Sequence, residues 1–385
     1  MTAHPLELAR RAALAQLLPP PRLPLSEWIE QNVFLSDDVS AQPGPVRLWP
    51  YQRSIADTIG DPAIERVTIV KPVRVGFTTI LTGAIASFVA NEPAPIMVLL
   101  PTENAARRYV VDDIEPTFLA SPSLAQILSP DSSETDRNTL LARRFPGGSL
   151  RFVPAKSPSN LRSHNVRLLL IDEADAMLRG PEGSPIQLAE KRTLSFPNRK
   201  IVLGSTPTDE ETSNVLRSYA QSDQRIFEMP CPHCGHRFEL LWEHIQWPKG
   251  RPEEAHAVCP GNGCVIEERE KPAMVAAGDW RATAPDVKGH AGFRLNALVS
   301  LLANASWGKL AAERRAAKAD TDLLRVFVNT ITGARAEALD CLVYAFAARR
   351  GVSINFDLRE DQLRGMPAAP PAPRVSRSNW MNRNR

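Results

Sequence analysis

The chain has 385 residues, 43% of them hydrophobic and 23% charged, with a net charge of +3. This is enough for one large domain plus one or two small ones, and the charge balance is that of an ordinary globular protein. It argues against a membrane protein, because no apolar run reaches the length of a span. The overall charge does not by itself announce a nucleic-acid partner either.

The opening, "MTAHPLELARRAALAQLLPPPRLPL", lacks a continuous apolar stretch and a small-residue cleavage site. It reads as a short amphipathic helix rather than a signal peptide, and residues 1–40 are taken as an N-terminal helical segment. The polar segment "SDDVSAQPGPVRLWPYQ" follows. From there apolar runs of strand length alternate with helical patterns: "RVTIVK", "TTILTGAIASFVA", "PIMVLLPT", "ENAARRYVVDDIEPTFLA", "LRFVPA", "VRLLLIDEADAM" and "RKIVLGSTPT". Near-continuous apolar runs suit strands buried on both faces. Their alternation with helices predicts a parallel α/β sheet over about 41–228.

The stretch "IVKPVRVGFTTI" sits between the first strand and the first long helix. A phosphate-binding loop normally reads G-x-x-x-x-G-K-[ST]. Here Gly76 and Thr78 fit that frame, Phe77 stands in the usual lysine place, and Lys71 leads the loop. The chemistry needs a cation near the β/γ-phosphates and backbone N–H groups around them. Lys71 can supply that cation from the other side of the loop. Arg74 can stabilise charge on the transferring group as an arginine finger in cis. Thr78 offers a hydroxyl to Mg²⁺, and Phe77 is a packing residue. The bland alternative is a strand ending in a turn before a helix.

Three further features bear on that choice. "LLLIDEADAM" ends an apolar strand with Asp172, a candidate Mg²⁺ ligand, and Glu173, a candidate base for the attacking water. "IVLGSTPT" puts Ser205 and Thr206 at another strand tip, where they can sense a γ-phosphate and couple hydrolysis to movement. "WPYQ" lies upstream, where an aromatic ring can stack on adenine and an amide can read its edge. Tyr51 and Gln52 are the candidates, while Trp49 reads better as a buried aromatic.

From Met229 to about Arg281 cysteine, proline, glycine and tryptophan enrich and apolar periodicity fades, so 229–282 reads as a small inserted module. Cys231 and Cys234 form one short-spaced pair, and Cys259 and Cys264 a second with four residues between. Two such pairs in a chain without an export signal point to a structural Zn²⁺ held by thiolates, as in a zinc ribbon. His233 and His236 are possible substitutes, and a metal-free loop is the alternative. Cys341 lies far off and reads as a core thiol. Helical pattern returns over 283–333. The tail 365–385 is Pro- and Arg-rich, with no acid, and reads as disordered.

As an ordered set, "KPVRVGFTT", "IDEADAM", "GSTPT", "DQRIFEMPCPHCGH", "GFRLNAL" and "FVNTITG" resemble the large terminase subunit of tailed bacteriophages, of the lambda-like type. The likeness runs from about Leu25 to Gly333, and the leading lysine is part of it. It implies a P-loop NTPase fold of the ASCE type, with an inserted zinc-ribbon-like module and a helical C-terminal part. It implies Lys71, Arg74, Gly76 and Thr78 on ATP phosphates, Asp172 on Mg²⁺, Glu173 as base, and Ser205–Thr206 as the coupling motif. It also implies an ATP-driven motor acting on double-stranded DNA in the host cytoplasm, as a homo-oligomer with a small terminase subunit and a portal protein as partners. Arg107 and Arg108 are candidates for DNA contact.

Relatives carry a nuclease domain after this region. Here 334–364 resembles only its end, with Asp340 as a last acidic residue, so nuclease activity is expected to be lost, since two-metal cleavage needs several converging carboxylates. The competing expectations are a helicase-like DNA-stimulated ATPase and a non-catalytic, decayed prophage product.

Overall fold

The computed structural model describes residues 10, 23–40, 42–73, 75–125, 127, 138–157, 161–162, 164–208, 212–318 and 320–332. All of these fall in one compact unit, Met1–Ala336. Arg74, Asp340 and Cys341 lie outside the described residues.

The frame is a ten-stranded mixed sheet. In chain order its strands include β1 (Arg66–Val70), β2 (Pro95–Leu100), β3 (Ala142–Phe145), β4 (Gly148–Pro154), β5 (Leu168–Asp172), β6 (Lys200–Ser205), β7 (Arg225–Pro230) and β8 (Arg237–Glu239). Three short strands form a separate antiparallel sheet: β9 (Ile245–Gln246), β10 (His256–Val258) and β11 (Val265–Ile266). The large sheet is completed by β12 (Asp279–Ala282) and β13 (His290–Arg294). Its order is β8-β7-β13-β1-β6-β5-β2-β4-β3, with β12 paired to β7. From β7 to β4 every neighbouring pair is parallel, while β3, β8 and β12 pair antiparallel. Strands β1, β5 and β6 are buried almost end to end. That is why they read as unbroken apolar runs rather than as alternation.

Register places the functional end. Val70 pairs with Ser205, and Gly204 with Asp172. The residues leaving β1, β5 and β6 therefore emerge at one edge of the sheet. This carboxyl edge is where open α/β sheets present ligand sites.

Helices α1 (Leu25–Asn32), α2 (Pro50–Gly60) and α3 (Phe77–Asn91) pack on one another. Helix α3 is apolar nearly all round and correspondingly buried. After β2, α4 (Glu103–Arg108) runs through a π-helical turn (Tyr109–Ile114) into α5 (Glu115–Ala120). Helix α6 (Pro185–Glu190) packs on β5, and α7 (Asn214–Ala220) on β1, β6 and β13. Between these helices and the sheet lies an apolar cluster that includes Val70, Leu99, Ile171, Leu203 and Val215.

Two features depart from the sequence-based expectation. The stretch 283–333 is not helical throughout, because His290–Arg294 is a strand inserted beside β1 in the parallel core. The cysteine-bearing segment also joins the main sheet: β7, β8 and β12 extend it, and the boundary expected at 228–229 falls inside β7. Helices α8 (Lys271–Ala276), α9 (Trp307–Ala317) and α10 (Thr321–Phe327) follow, ending in a turn over Val328–Thr332.

Candidate active site

The loop from Lys71 to Gly76 joins β1 to α3. Gly76 caps α3 with φ +70° and ψ 30°, in the left-handed region that favours glycine. A Cβ there would also meet Gln52 Nε2 at 2.4 Å. Phe77, the first helical residue, is buried against Gly204, where any Cβ would meet its ring at 2.4 Å. Thr78 follows on the first turn, half-buried.

Lys71 is 8% exposed, and its ammonium lies 2.9 Å from Asp172 Oδ1 and 2.8 Å from Glu173 Oε1. Its Nζ also sits 4.8 Å from the Phe77 ring centroid, within cation–π range. Burial works against the charge on Lys71. The two carboxylates more than offset it and hold the pKa above the ordinary lysine value. A charged lysine is thus fixed between the loop and the acidic strand end.

Glu173 has φ 55° and ψ 48°, a left-handed conformation that costs a non-glycine residue about 1–3 kcal/mol. It persists because its surroundings fix it. Its N–H donates to Asp172 Oδ1 at 2.8 Å, and the turn that follows is pinned by Asp175. Asp175 N–H donates to Ser205 Oγ at 3.2 Å. Asp175 Oδ2 accepts from Thr208 N at 3.1 Å, and Oδ1 from Val215 N at 3.0 Å. One carboxylate thereby joins the end of β5 to the loop after β6 and to the start of α7. Ser205 Oγ donates onward to Thr206 O at 3.0 Å, and Ser205 O accepts from Lys71 N at 3.0 Å.

The cysteines form a second constellation at the antiparallel end of the sheet. The ligand atoms of Cys231, Cys234 and Cys259 all lie within 4.8 Å of one another. Both pairs start with the same turn: Gly235 N donates to Cys231 O at 2.9 Å, and Gly263 N to Cys259 O at 2.8 Å. Each of these glycines is left-handed, at φ +73° and +67°. In the first turn the second cysteine precedes the glycine, whereas in the second turn Cys264 follows it. That is the physical meaning of the longer spacing. The His236 backbone amide holds the Cys234 thiol down at about 7. Burial pushes the Cys231, Cys259 and Cys264 thiols the other way, above the ordinary value. Preformed, clustered thiols suit a thiophilic cation such as Zn²⁺, whose charge favours the thiolate form.

A family model described as the phage terminase large subunit gpA, ATPase domain, matches residues 40–280. The chain belongs to this family. The terminase chain is 27% identical over 352 residues to the terminase large subunit of Escherichia phage lambda, covering 85% of this chain and 55% of that protein. It is 28% identical over 267 residues to the terminase large subunit of Enterobacteria phage P21, covering 67% of this chain and 42% of that one. The chain therefore spans about half the length of the curated relatives it matches. The HK97 bacteriophage large terminase superposes with a TM-score of 0.51 at 12% identity, over 81% of this chain and 55% of that one, which shows the shared fold.

The terminase fold brings Lys71, Gly76, Phe77, Thr78, Asp172, Glu173, Ser205 and Thr206 to one edge of the sheet. It does not present Tyr51 and Gln52 as the sequence suggested. Tyr51 is fully buried, edge-on to Trp49 and Phe227, and its hydroxyl has no partner among the described residues. Its ring offers no open face to a base. Both ends of the Gln52 amide are engaged: Nε2 donates to Val75 O at 2.9 Å and Oε1 accepts from Trp49 N at 2.8 Å. Gln52 braces the loop from below. Trp49 is half-buried at the start of α2. Arg107 pairs with Glu103 one turn earlier at 2.8 Å, and Arg108 is exposed beside it on α4.

Asp175 was missed by motif reading. The only signal available was its place inside "IDEADAM". Among the described residues, no helix is long and apolar enough to cross a membrane.

Proposed function

We propose that this terminase chain binds and hydrolyses ATP and uses the cycle to drive double-stranded DNA into a phage capsid. The observation that carries it is the Lys71 ammonium held between Asp172 and Glu173, 2.9 and 2.8 Å away, at the mouth of the loop. Lys71 meets the β/γ-phosphates, and the loop's N–H groups together with the α3 N-terminus cradle them. Arg74 neutralises charge on the transferring phosphoryl group. Glu173 takes the proton of the attacking water. Its half-exposed side chain can reach a water that the buried Asp172 cannot.

The donor set fits a hard divalent cation: a carboxylate oxygen of Asp172 and the hydroxyl of Thr78, both oxygen ligands. Bound there, Mg²⁺ supplies charge neutralisation between the phosphates. Ser205 and Thr206 register the γ-phosphate through the loop that Asp175 holds. The cysteine cluster holds one structural Zn²⁺, with Cys264 completing the four thiolates. The family's machinery further implies a small terminase subunit, a portal protein and other copies of this chain as partners.

The test is steady-state ATP hydrolysis by the full chain with Mg²⁺. Turnover should be abolished by Lys71→Ala and by Glu173→Ala, each by at least about a hundredfold. Wild-type turnover no greater than that of both variants would sink the motor reading.

A further inference from the structure

The turn over Val328–Thr332 closes the described part of the chain, and two consecutive residues in it touch two different parts of the candidate site. Thr330 O accepts from Val73 N, inside the phosphate loop, at 2.8 Å. Asn329 Nδ2 donates to Thr208 O, in the loop after β6, at 2.8 Å. Thr208 is thereby held at both ends of its backbone: its carbonyl takes the Asn329 amide, and its N–H goes to Asp175 Oδ2 at 3.1 Å. Asp175 in turn fixes the Ser205 hydroxyl and the turn that keeps Glu173 left-handed.

We propose that Asn329 is a positioning residue for ATP hydrolysis. It clamps the Ser205–Thr208 loop to the segment that also holds the phosphate loop, and so keeps Glu173 aligned while the γ-phosphate is sensed. This inference rests on the ATPase function above. Asn329 touches no reacting atom. It acts through Thr208 and Asp175, and the same turn gives the loop a mechanical connection to the chain that follows α10.

The side-chain bond lies at the surface, so water can replace it without leaving a buried group unsatisfied. Removing it loosens a position rather than the fold. Misplacement of a catalytic group by a fraction of an ångström to an ångström lowers turnover by one to two orders of magnitude. It also leaves substrate binding nearly intact, because the lost interaction matters only in the transition state.

The experiment compares Asn329→Ala, Asn329→Asp and Asn329→Gln in the full chain. The readouts are kcat and KM for ATP, the melting temperature, and amide hydrogen exchange over Ser205–Thr208. The alanine and aspartate variants cannot donate to Thr208 O. They should lose about tenfold in kcat, with KM within about twofold and melting unchanged. Exchange at the Thr208 amide should rise in both, and Asn329→Gln, which keeps a donor amide, should recover most of the loss. An active wild type with all three variants turning over equally, and exchange unchanged, overturns this inference alone. Equal losses in all three variants that track a lowered melting temperature also overturn it, since the role is then structural. A wild-type chain that hydrolyses no ATP overturns the ATPase reading and this inference with it.

Discussion

The two ends of the large sheet build their sites in opposite ways. At the carboxyl edge of β1, β5 and β6, Lys71, Asp172, Glu173 and Ser205 come from three segments far apart in the chain, Lys71 lying 102 residues before Glu173, and meet through strand register. Charge is concentrated there, and one backbone residue, Glu173, is held in a costly conformation. At the antiparallel end the cysteines meet through two local turns of the same kind, each closed on a left-handed glycine. The first arrangement stores strain in a folded frame and depends on it. The second is built from local turns, and its neighbours Met229, Phe238, Leu240 and Ile266 are buried beside it, so a metal held there would tie turns of the same folded region together. Substitutions at the first should therefore stop chemistry while leaving the fold, and substitutions at the second should do the reverse.

The largest expected effect that sharpens this contrast is at the cysteines. Cys231→Ser should abolish stoichiometric zinc, from about one per chain to none. It should lower the melting temperature by roughly 10 °C or more. Metal analysis and calorimetry on reduced protein check this, and an unchanged melting temperature would break the comparison. A smaller effect is expected at Asp175, which belongs to the first site but serves it structurally. Asp175→Ala strands the N–H of buried Val215, while water can take the exposed Thr208 N–H, and should cost about 1–3 kcal/mol by denaturant unfolding. A loss of turnover beyond what the unfolded fraction explains should accompany it. Unchanged stability would mean that Asp175 does not hold these segments together.

The smallest effect lies within the sheet, at His290 on β13, whose Nε2 is 2.9 Å from Thr68 Oγ1 on the neighbouring β1. Burial, and then the nearby Arg66 charge, push its pKa down to about 4. In the unfolded chain it titrates near 6.5. Between those values the unfolded state binds the extra proton. The stability contribution is therefore fully present above about pH 6.5 and is lost as pH falls toward 4. His290→Gln should flatten that part of the stability–pH curve, and an unaltered slope would assign the acid loss elsewhere.

The strands β1, β2, β5 and β6 were legible in the sequence because burial on both faces demands unbroken apolar runs. The lysine, the acidic pair and the serine stood out because charged and hydroxyl side chains at the tips of apolar strands are what the proposed phosphate and metal chemistry would need. Strand β13 was not legible. "HAGFR" has no β-branched residue, and its glycine is set by space: a Cβ at Gly292 would meet Ser222 Oγ at 1.8 Å. Packing chose that residue against strand propensity.

Gln52 was misread for a related reason. Its partner, the Val75 carbonyl, lies 23 residues on and is brought close only by the fold. Asp175 and Asn329 were invisible because their partners are backbone atoms of distant segments, a loop and the start of α7, and no spacing along the chain encodes those.

The most direct test of the account is the fate of ATP bound to Glu173→Gln, measured by rapid quench beside the wild type. In the proposed division of labour Lys71 and the loop hold the phosphates, while Glu173 activates water. The variant should therefore bind MgATP and keep it as ATP, while the wild type converts it to ADP and phosphate. Conversion by the variant at the wild-type rate would contradict the role given to Glu173 and, with it, the chemistry assigned to this edge of the sheet.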